Sequence, residues 1–176
     1  MSVSIKISKT LKNLSPHSKM YNHASKGYKC PICLGVQGIE NEDTLLKQTD
    51  LIYKDDLVSV FINSFWIDTA KGHVIVVPNE HHENIFDLPR DIGHRVFEVT
   101  KKVALAMKDA YKCDGVTIRQ NNEPASDQHA FHYHQHIFPR YDGDSYNINM
   151  IKKSILSVPN ERLEYAKKLI IALKTK

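Results

Sequence analysis

The hydrophobic and polar positions of the chain follow two different periods. Short apolar runs bounded by polar turns predict strands, and these runs span residues 51–53, 57–63, 73–77 and 115–120. Apolar residues three or four positions apart predict a long helix over 89–112 and another that begins near residue 159. With a histidine-rich strand between 131 and 139, this order predicts an α+β domain: an antiparallel sheet with one long helix packed on it and a C-terminal helix, rather than a doubly wound sheet.

The run His132-Tyr133-His134-Gln135-His136 has a histidine at every second position. A strand directs alternate side chains to one face, so we expect all three imidazoles on the same face, with about 7 Å between alternate Cα atoms. The flanking residues Phe131 and Ile137 favour a strand over a helix. Imidazoles near neutral pH act as metal ligands, proton carriers or nucleophiles, so the run predicts a reactive site rather than three solvated side chains.

The composition predicts one domain with a sizeable core, because 41% of the 176 residues are hydrophobic. No apolar run is long enough to span a bilayer, and the N-terminal residues lack the apolar core of a secretory signal, so we expect no membrane association. The three cysteines are an odd number that includes a close pair at Cys30 and Cys33. This pattern predicts a reducing, cytoplasmic setting rather than a disulfide framework.

The formal net charge of +4 belongs to the N-terminal tail. The first 29 residues contain no acidic residue, and they contain six lysines: Lys6, Lys9, Lys12, Lys19, Lys26 and Lys29. Without them, 18 basic residues face 20 acidic residues, a balance of −2. Such a tail has the charge to contact nucleic acid or the phosphates of a nucleotide. Its Ser, Asn and Lys content favours a solvated, flexible arm, and we expect no nucleic-acid partner.

The sequence Cys30-Pro31-Ile32-Cys33 is typical of a zinc knuckle, in which the amides of a turn support two thiolates. Two thiolates are half of a tetrahedral site, and His81 and a histidine of the run are candidates for the remainder. A single ion cannot bind all three histidines of one strand face, because the outer pair is too far apart. A redox dithiol is the alternative, but it requires a following helix, and residues 34–38 contain two glycines. Cys113, which follows the long helix, is expected to be a buried structural residue.

Residues 132–140 resemble the His-φ-His-φ-His-φ-φ signature of the histidine triad (HIT) superfamily of nucleotide hydrolases and transferases, where φ is a hydrophobic residue. Residues 71–84, with Gly72-His73 before a strand and His81 after it, are similar to a second segment of that family. Residues 121–128 resemble its phosphate loop, and the cysteine pair matches its zinc-bearing branch. The resemblance covers about residues 30–144 and implies a HIT-like catalytic domain there, after a basic tail at 1–29 and before a C-terminal extension with a helix at 145–176.

The resemblance implies a role for each matching residue. His134 matches the nucleophile that attacks the α-phosphorus and becomes a nucleotidyl-histidine, and His136 matches a residue that bonds the phosphoryl oxygens or the leaving group. Gln128 and Asn121 match neutral donors to the phosphate, and Asn63 matches the residue that holds the ribose hydroxyls. His73 and His129 are also expected to bind the substrate. The implied ligands of a structural zinc are Cys30, Cys33, His81 and His132; His82 lies off that register, and no catalytic magnesium is implied.

Three positions depart from the pattern of the family. Where its phosphate loop often contains Gly-Gln-Ser/Thr, this chain has Asp127-Gln128-His129. An acid beside a phosphate repels it unless the acid faces away or pairs with a cation. A histidine in place of a hydroxyl has the chemistry to protonate a leaving group, or it fills space. Gln135 stands at a hydrophobic position of the signature.

Three functions are compatible with these residues. The first is a zinc-containing HIT hydrolase or nucleotidyltransferase that cleaves a nucleoside phosphoramidate or a dinucleoside polyphosphate. The second is a hydrolase or hydratase that uses a zinc-bound water on the histidine strand. The third is a nucleotide-binding or partner-binding module without catalysis. The resemblance also implies a homodimer.

Overall fold

The computed structural model describes residues 21–151 and 154–176. Lys6, Lys9, Lys12 and Lys19 of the predicted tail lie outside the described residues. The described helices are α1 Pro31–Val36, α2 Arg90–Tyr111, α3 Tyr146–Ile151 and α4 Pro159–Leu173. The described strands are β1 Leu51–Lys54, β2 Val58–Ile62, β3 Phe65–Trp66, β4 Val74–Pro78, β5 Gly115–Gln120, β6 Gln135–Arg140 and β7 Ile155–Leu156.

Within these ranges, five strands form one antiparallel sheet in the order β1-β2-β4-β6-β5. The long helix α2 and the C-terminal helix α4 pack together on one face of this sheet. The predicted fold class is therefore confirmed. No helix among the described residues combines the length and the apolar content needed to cross a membrane.

The central strands β2 and β4 are buried along their whole length, which explains their continuous β-branched composition. Side chains of alternate residues enter two cores. Val60 and Val76 face the helices, whereas Phe61 and Ile75 face a second cluster that contains Cys30 and the apolar residues of α1. The sheet thus separates a helix-covered core from a smaller core beneath the cysteine pair.

The periodicity of α2 correctly predicts its buried face, which contains Val96, Val99, Val103, Ala106 and Met107. Pro89 occupies the N-cap position rather than the first turn of the helix. The helix ends at Lys112, which adopts the left-handed conformation with φ 54°. Cys113 follows and is buried, as predicted.

A short helix begins inside the cysteine motif, where the two glycines after it predicted none. Cys30 is the N-cap of α1, and its Sγ accepts a hydrogen bond from the Cys33 amide at 3.3 Å. Pro31 fits the first helical position because that position needs no amide hydrogen. The motif therefore forms its own turn of helix before Gly38, where φ is +80°.

The expectation that one strand face holds all three histidines of the run is wrong. β6 begins at Gln135, so His132 and His134 precede the strand and only His136 lies within it. The amide of Tyr133 donates to the His82 carbonyl at 2.5 Å, and the amide of His132 donates to Ala130 at 2.9 Å. Hydrogen bonds to loops therefore replace the strand ladder at His132 and Tyr133.

The C-terminal segment is joined to the domain by a buried ion pair. The guanidinium of Arg162 on α4 donates to Asp50 at 2.8 Å and to the Ser157 carbonyl at 2.9 Å, and both charged side chains are almost fully buried. Ser157 in turn donates its amide and its hydroxyl to the Ser64 carbonyl, and β7 pairs with β3 beside it. Loss of one partner from such a desolvated pair costs about 3–5 kcal/mol, so the pair fixes where the C-terminal segment lies.

Candidate functional site

Two cysteines and two histidines converge below the sheet. The Sγ atom of Cys33 lies 3.3 Å from His81 Nδ1 and 3.4 Å from His132 Nδ1, and Cys30 Sγ lies 3.4 Å from the same His132 nitrogen. All four donor atoms lie within 4.8 Å of one another. The neighbouring Cys33, and after it His132 and His81, lower the pKa of the Cys30 thiol.

The geometry of this Cys-His cluster fits a tetrahedral metal ion. Zinc binds sulfur at about 2.3 Å and nitrogen at about 2.0–2.1 Å, which places neighbouring ligands about 3.5 Å apart. The sulfur–nitrogen distances here are close to that value. The other nitrogen of His132, Nε2, lies 3.0 Å from the Pro78 carbonyl, so it is the donor and Nδ1 turns its lone pair to the cysteines. The adjacent His82 contributes no donor atom to the cluster.

Three other imidazoles form a second group on the same side of the sheet. The ring of His136 lies 4.9 Å from the ring of His134 and 5.4 Å from that of His73, measured between centroids. Phe138 stacks on His136 and lies against His73. His73 lies in the turn before β4. The ring of Phe138 contacts both His73 and His136 and so connects the two imidazoles.

The tautomer of His134 follows from one hydrogen bond. Its Nδ1 lies 2.6 Å from the carbonyl oxygen of His132. A carbonyl only accepts, so Nδ1 carries the proton and Nε2 keeps its lone pair. Desolvation lowers the pKa of His134 below its ordinary value, although this hydrogen bond opposes the shift. The chemistry available to His134 is therefore that of a neutral imidazole with a fixed nucleophilic nitrogen.

His73 is held in place by Asn63. The amide Nδ2 of Asn63 donates to His73 Nε2 at 2.8 Å and to the Phe65 carbonyl at 2.9 Å. Burial lowers the pKa of His73 to about 3, so this imidazole is neutral at physiological pH.

His136 is neutral for the same reason. Burial, and then the neighbouring His134 and His73, lower its pKa well below the ordinary value. Its Nδ1 is buried and has no hydrogen-bond partner among the described residues. The site therefore presents a polar atom that the protein itself does not satisfy.

The side-chain amides of the loop at 121–128 are engaged within the protein. Gln128 accepts from the Glu123 amide at 2.6 Å and donates to the Glu83 carbonyl at 2.6 Å. Asn121 donates to the Ser126 carbonyl and accepts from Arg119 Nε at 2.7 Å. These two side chains shape the loop that borders the three imidazoles.

Asp127 pairs with a cation, one of the two arrangements that relieve its repulsion of a phosphate. Its carboxylate lies 3.5 Å from the guanidinium of Arg119 and is 75% exposed. Asp127 also adopts φ +66°, a left-handed conformation that aspartate tolerates better than most residues and that glycine adopts freely. This conformation accounts for an Asp where the family pattern often has Gly. His129 lies exposed at the end of the loop.

Two residues of this region are not among the site residues that the sequence predicts. Buried Glu83 accepts hydrogen bonds from the amides of His23 and Ala24, and its carbonyl binds Gln128. Nothing in the sequence around Glu83 indicates these contacts, which join segments 59 and 60 residues apart. Arg119 had a detectable signal, because it lies two residues after Thr117 on the predicted strand at 115–120 and therefore shares a face with it.

The chain belongs to the HIT family. The family model described as HIT domain matches residues 45–143, more than half of the chain.

Relatives and solved structures show how far the similarity extends. The chain is 33% identical to protein hit of Bacillus subtilis over 96 residues, which are 54% of this chain and 65% of that protein. It is 31% identical over 77 residues to an adenosine 5′-monophosphoramidase of Saccharomyces cerevisiae, 44% of this chain and 46% of the yeast protein. A zinc-bound histidine triad family protein from Mycobacterium smegmatis superposes with a TM-score of 0.67 at 26% identity, over 84% of this chain and 94% of that one.

The buried neutral His73 predicts a loss of stability in acid. Its pKa is about 3 in the folded chain and about 6.5 in an unfolded one, so the unfolded state binds one more proton between these values. The contribution is complete above pH 6.5 and is lost as the pH falls towards 3. We expect His73→Gln to flatten the pH dependence of the unfolding free energy by up to about 1.4 kcal/mol per pH unit between pH 6 and 4, measured by urea denaturation. Parallel curves for the two proteins would contradict this assignment.

Proposed function

We propose that this protein is a nucleotide hydrolase or nucleotidyltransferase that cleaves at the α-phosphorus through a nucleotidyl-histidine. The observation that carries the proposal is the hydrogen bond from His134 Nδ1 to the His132 carbonyl, because it leaves Nε2 as the nucleophile. The adenosine 5′-monophosphoramidase activity named for the yeast relative is of this reaction class and supports it.

The reaction consists of two in-line displacements. In the first, His134 Nε2 forms a bond to the α-phosphorus, and the bond from phosphorus to the leaving group breaks with its electron pair on the leaving atom. An amine leaving group takes up a proton, and a phosphate or nucleotide leaves as an anion. In the second, water attacks the phosphorus, the phosphorus–nitrogen bond breaks and the nucleoside monophosphate is released. Another acceptor in place of water gives transfer instead of hydrolysis.

Other residues of the site bind the substrate in this proposal. The unsatisfied Nδ1 of His136 is available to a phosphoryl oxygen, and Asn63, beside His73, is available to the ribose. Gln128 and Asn121 hold the phosphate loop in shape and bring its polar groups to the α-phosphate. Exposed His129 faces the leaving group.

The first test removes the nucleophile. We expect His134→Ala to lower turnover of an adenosine or guanosine phosphoramidate more than about a thousandfold, and to abolish labelling of the protein by an α-labelled substrate. The matched control is His94→Ala, an exposed histidine on α2, which should retain both properties. Full turnover by His134→Ala would refute the mechanism. Nucleotide binding by calorimetry without turnover across a substrate panel would support a non-catalytic binding module instead.

We further propose that the Cys-His cluster holds one structural zinc ion. Cys30, Cys33, His81 and His132 supply two thiolates and two imidazoles, a closed set of four ligands that leaves no position for a reacting water. The zinc-bound neighbour from Mycobacterium smegmatis supports this choice of metal. A bound zinc would fix the position of His132, while all reaction steps belong to the chain's own residues. Free thiols at this pair suit the cytoplasmic location that the cysteine content predicts.

Metal analysis distinguishes a structural from a catalytic zinc. We expect one zinc per chain, lost in Cys33→Ser together with thermal stability, because the metal cross-links segments far apart in sequence. His82→Gln, which changes the neighbour of one ligand, should retain the metal. His134→Ala should also retain it, measured by elemental analysis of the purified proteins. Loss of zinc in His134→Ala would favour the zinc-bound water mechanism.

We also propose that two copies of the chain associate through β5. This strand is one of the two outer strands of the five-stranded sheet, so its unpaired backbone groups can continue the sheet into a second copy. Ile118 on β5 is 51% exposed, and Phe97 and Leu105 are exposed on α2, which covers the same face. These apolar side chains beside the open edge support a second copy as the occupant.

Sedimentation velocity tests this association. We expect the full chain to sediment as a dimer and Ile118→Lys to sediment as a monomer, because a charged side chain would be desolvated in the interface. The control Ile171→Lys changes an even more exposed isoleucine on α4 and should stay dimeric. A monomeric wild-type chain would overturn the proposal.

A further inference from the structure

Arg119 lies on the site side of the sheet, next to the histidine cluster. It is the cross-strand partner of His136, and paired residues of neighbouring strands point to the same face. The preceding and following residues, Ile118 and Gln120, pair with Ile137 and Gln135 on the face covered by α2. The guanidinium of Arg119 is close enough to His136 for its charge to act on that imidazole, after burial and the other two histidines.

The guanidinium of Arg119 forms a hydrogen bond through one nitrogen and an ion pair through another. Its Nε donates to Asn121 Oδ1 at 2.7 Å, which fixes the direction of the side chain. Its Nη2 lies 3.5 Å from Asp127 Oδ2, a distance longer than a good hydrogen bond. Asp127 is 75% exposed and Arg119 is 30% exposed, so this ion pair is solvated and weak. An anion of better geometry can therefore displace the carboxylate.

The position of the Arg119–Asp127 ion pair relative to His134 indicates which part of a bound substrate would lie next to Arg119. His73 and Asn63 lie on one side of His136, and Arg119 lies on the other, towards the outer edge of the sheet. In the proposed reaction Asn63 holds the ribose, so the opposite side accommodates the leaving group. The loop residues Asp127 and His129 border that side.

We propose that Arg119 is a specificity-determining residue that binds an anionic leaving group, and that Asp127 occupies the guanidinium until such a group displaces it. The inference rests on the proposed function and narrows it. Among the compatible substrates, those whose leaving group carries a negative charge, as a phosphate, a nucleotide or a carboxylate-bearing amine does, are favoured over those that release a neutral or cationic amine. The bonds formed and broken are those given above.

A matched pair of substrates isolates the charge of the leaving group. The nucleoside phosphoramidate of β-alanine carries a carboxylate, and that of β-alanine methyl ester does not; adenosine and guanosine versions of each cover both purines. The measured quantity is the ratio of kcat/KM for the carboxylate to kcat/KM for the ester. We expect wild type to prefer the carboxylate, and the preference to fall as the salt concentration rises.

Substitutions at Arg119 and at Asp127 should move this kcat/KM ratio in opposite directions. Arg119→Met is expected to lower it about tenfold, the size of a hydrogen bond to a charged group. Arg119→Lys should retain part of the preference, because a point charge remains without the two-pronged geometry. Asp127→Asn should raise the ratio, because the competing carboxylate is gone. Arg90→Met, which removes an exposed arginine at the start of α2, is the control and should leave the ratio unchanged.

The outcomes separate this inference from the function on which it rests. If wild type turns over the substrates but Arg119→Met leaves the ratio within about twofold, or lowers both rates equally, Arg119 is structural and the inference is wrong. A ratio that falls in Asp127→Asn is equally contrary to it. If wild type turns over neither substrate and forms no adduct, the proposed function itself has failed.

Discussion

The position of His132 is the constraint on which the rest of the site depends. Its ring is buried, with Nδ1 directed at two cysteines and Nε2 at the Pro78 carbonyl. Its carbonyl oxygen accepts a hydrogen bond from His134 Nδ1–H and so fixes the tautomer of that imidazole. One residue thereby joins the Cys-His cluster to the imidazole of His134, two residues further on. A change of the backbone at this point would disturb both, because the ring and the carbonyl are attached to the same Cα atom.

The C-terminal segment contributes to the site although it follows the part of the chain that the family model matches. Buried Arg162 and Ser157 tie β7 to the Ser64 carbonyl, next to Asn63. The ring of Tyr165 on α4 packs where a side chain at Gly72 would lie, and Gly72 has φ +73°. This turn leads directly into His73. The helix therefore supports the two residues, Asn63 and His73, that contact each other on one side of the histidine cluster.

The loop that borders the other side shows how a departure from a family pattern becomes physically acceptable. Asp127 occupies a left-handed position and faces solvent beside a guanidinium, so its charge does not act on the site unopposed. The side-chain amides of Gln128 and Asn121 form hydrogen bonds within the loop itself. The residues of this motif therefore maintain the shape of the loop as well as supply hydrogen-bond donors. Beside this loop, the neighbouring strand β5 places Arg119 next to His136.

The sequence by itself determined the α+β class, the long helix with its buried face and the outline of both clusters. The class and the helix follow from periodicity, and the outline of the clusters follows from motif spacing together with the family resemblance. The start of β6, the helix inside the cysteine motif and the pairing of β3 with β7 depended on contacts between distant segments, such as Tyr133 with His82 and Ser157 with Ser64. The tautomer of His134 and the partner of Asp127 were likewise decided by tertiary structure. A hydrogen bond or an ion pair between distant residues leaves no periodic trace in the sequence, because only folding brings its two partners together.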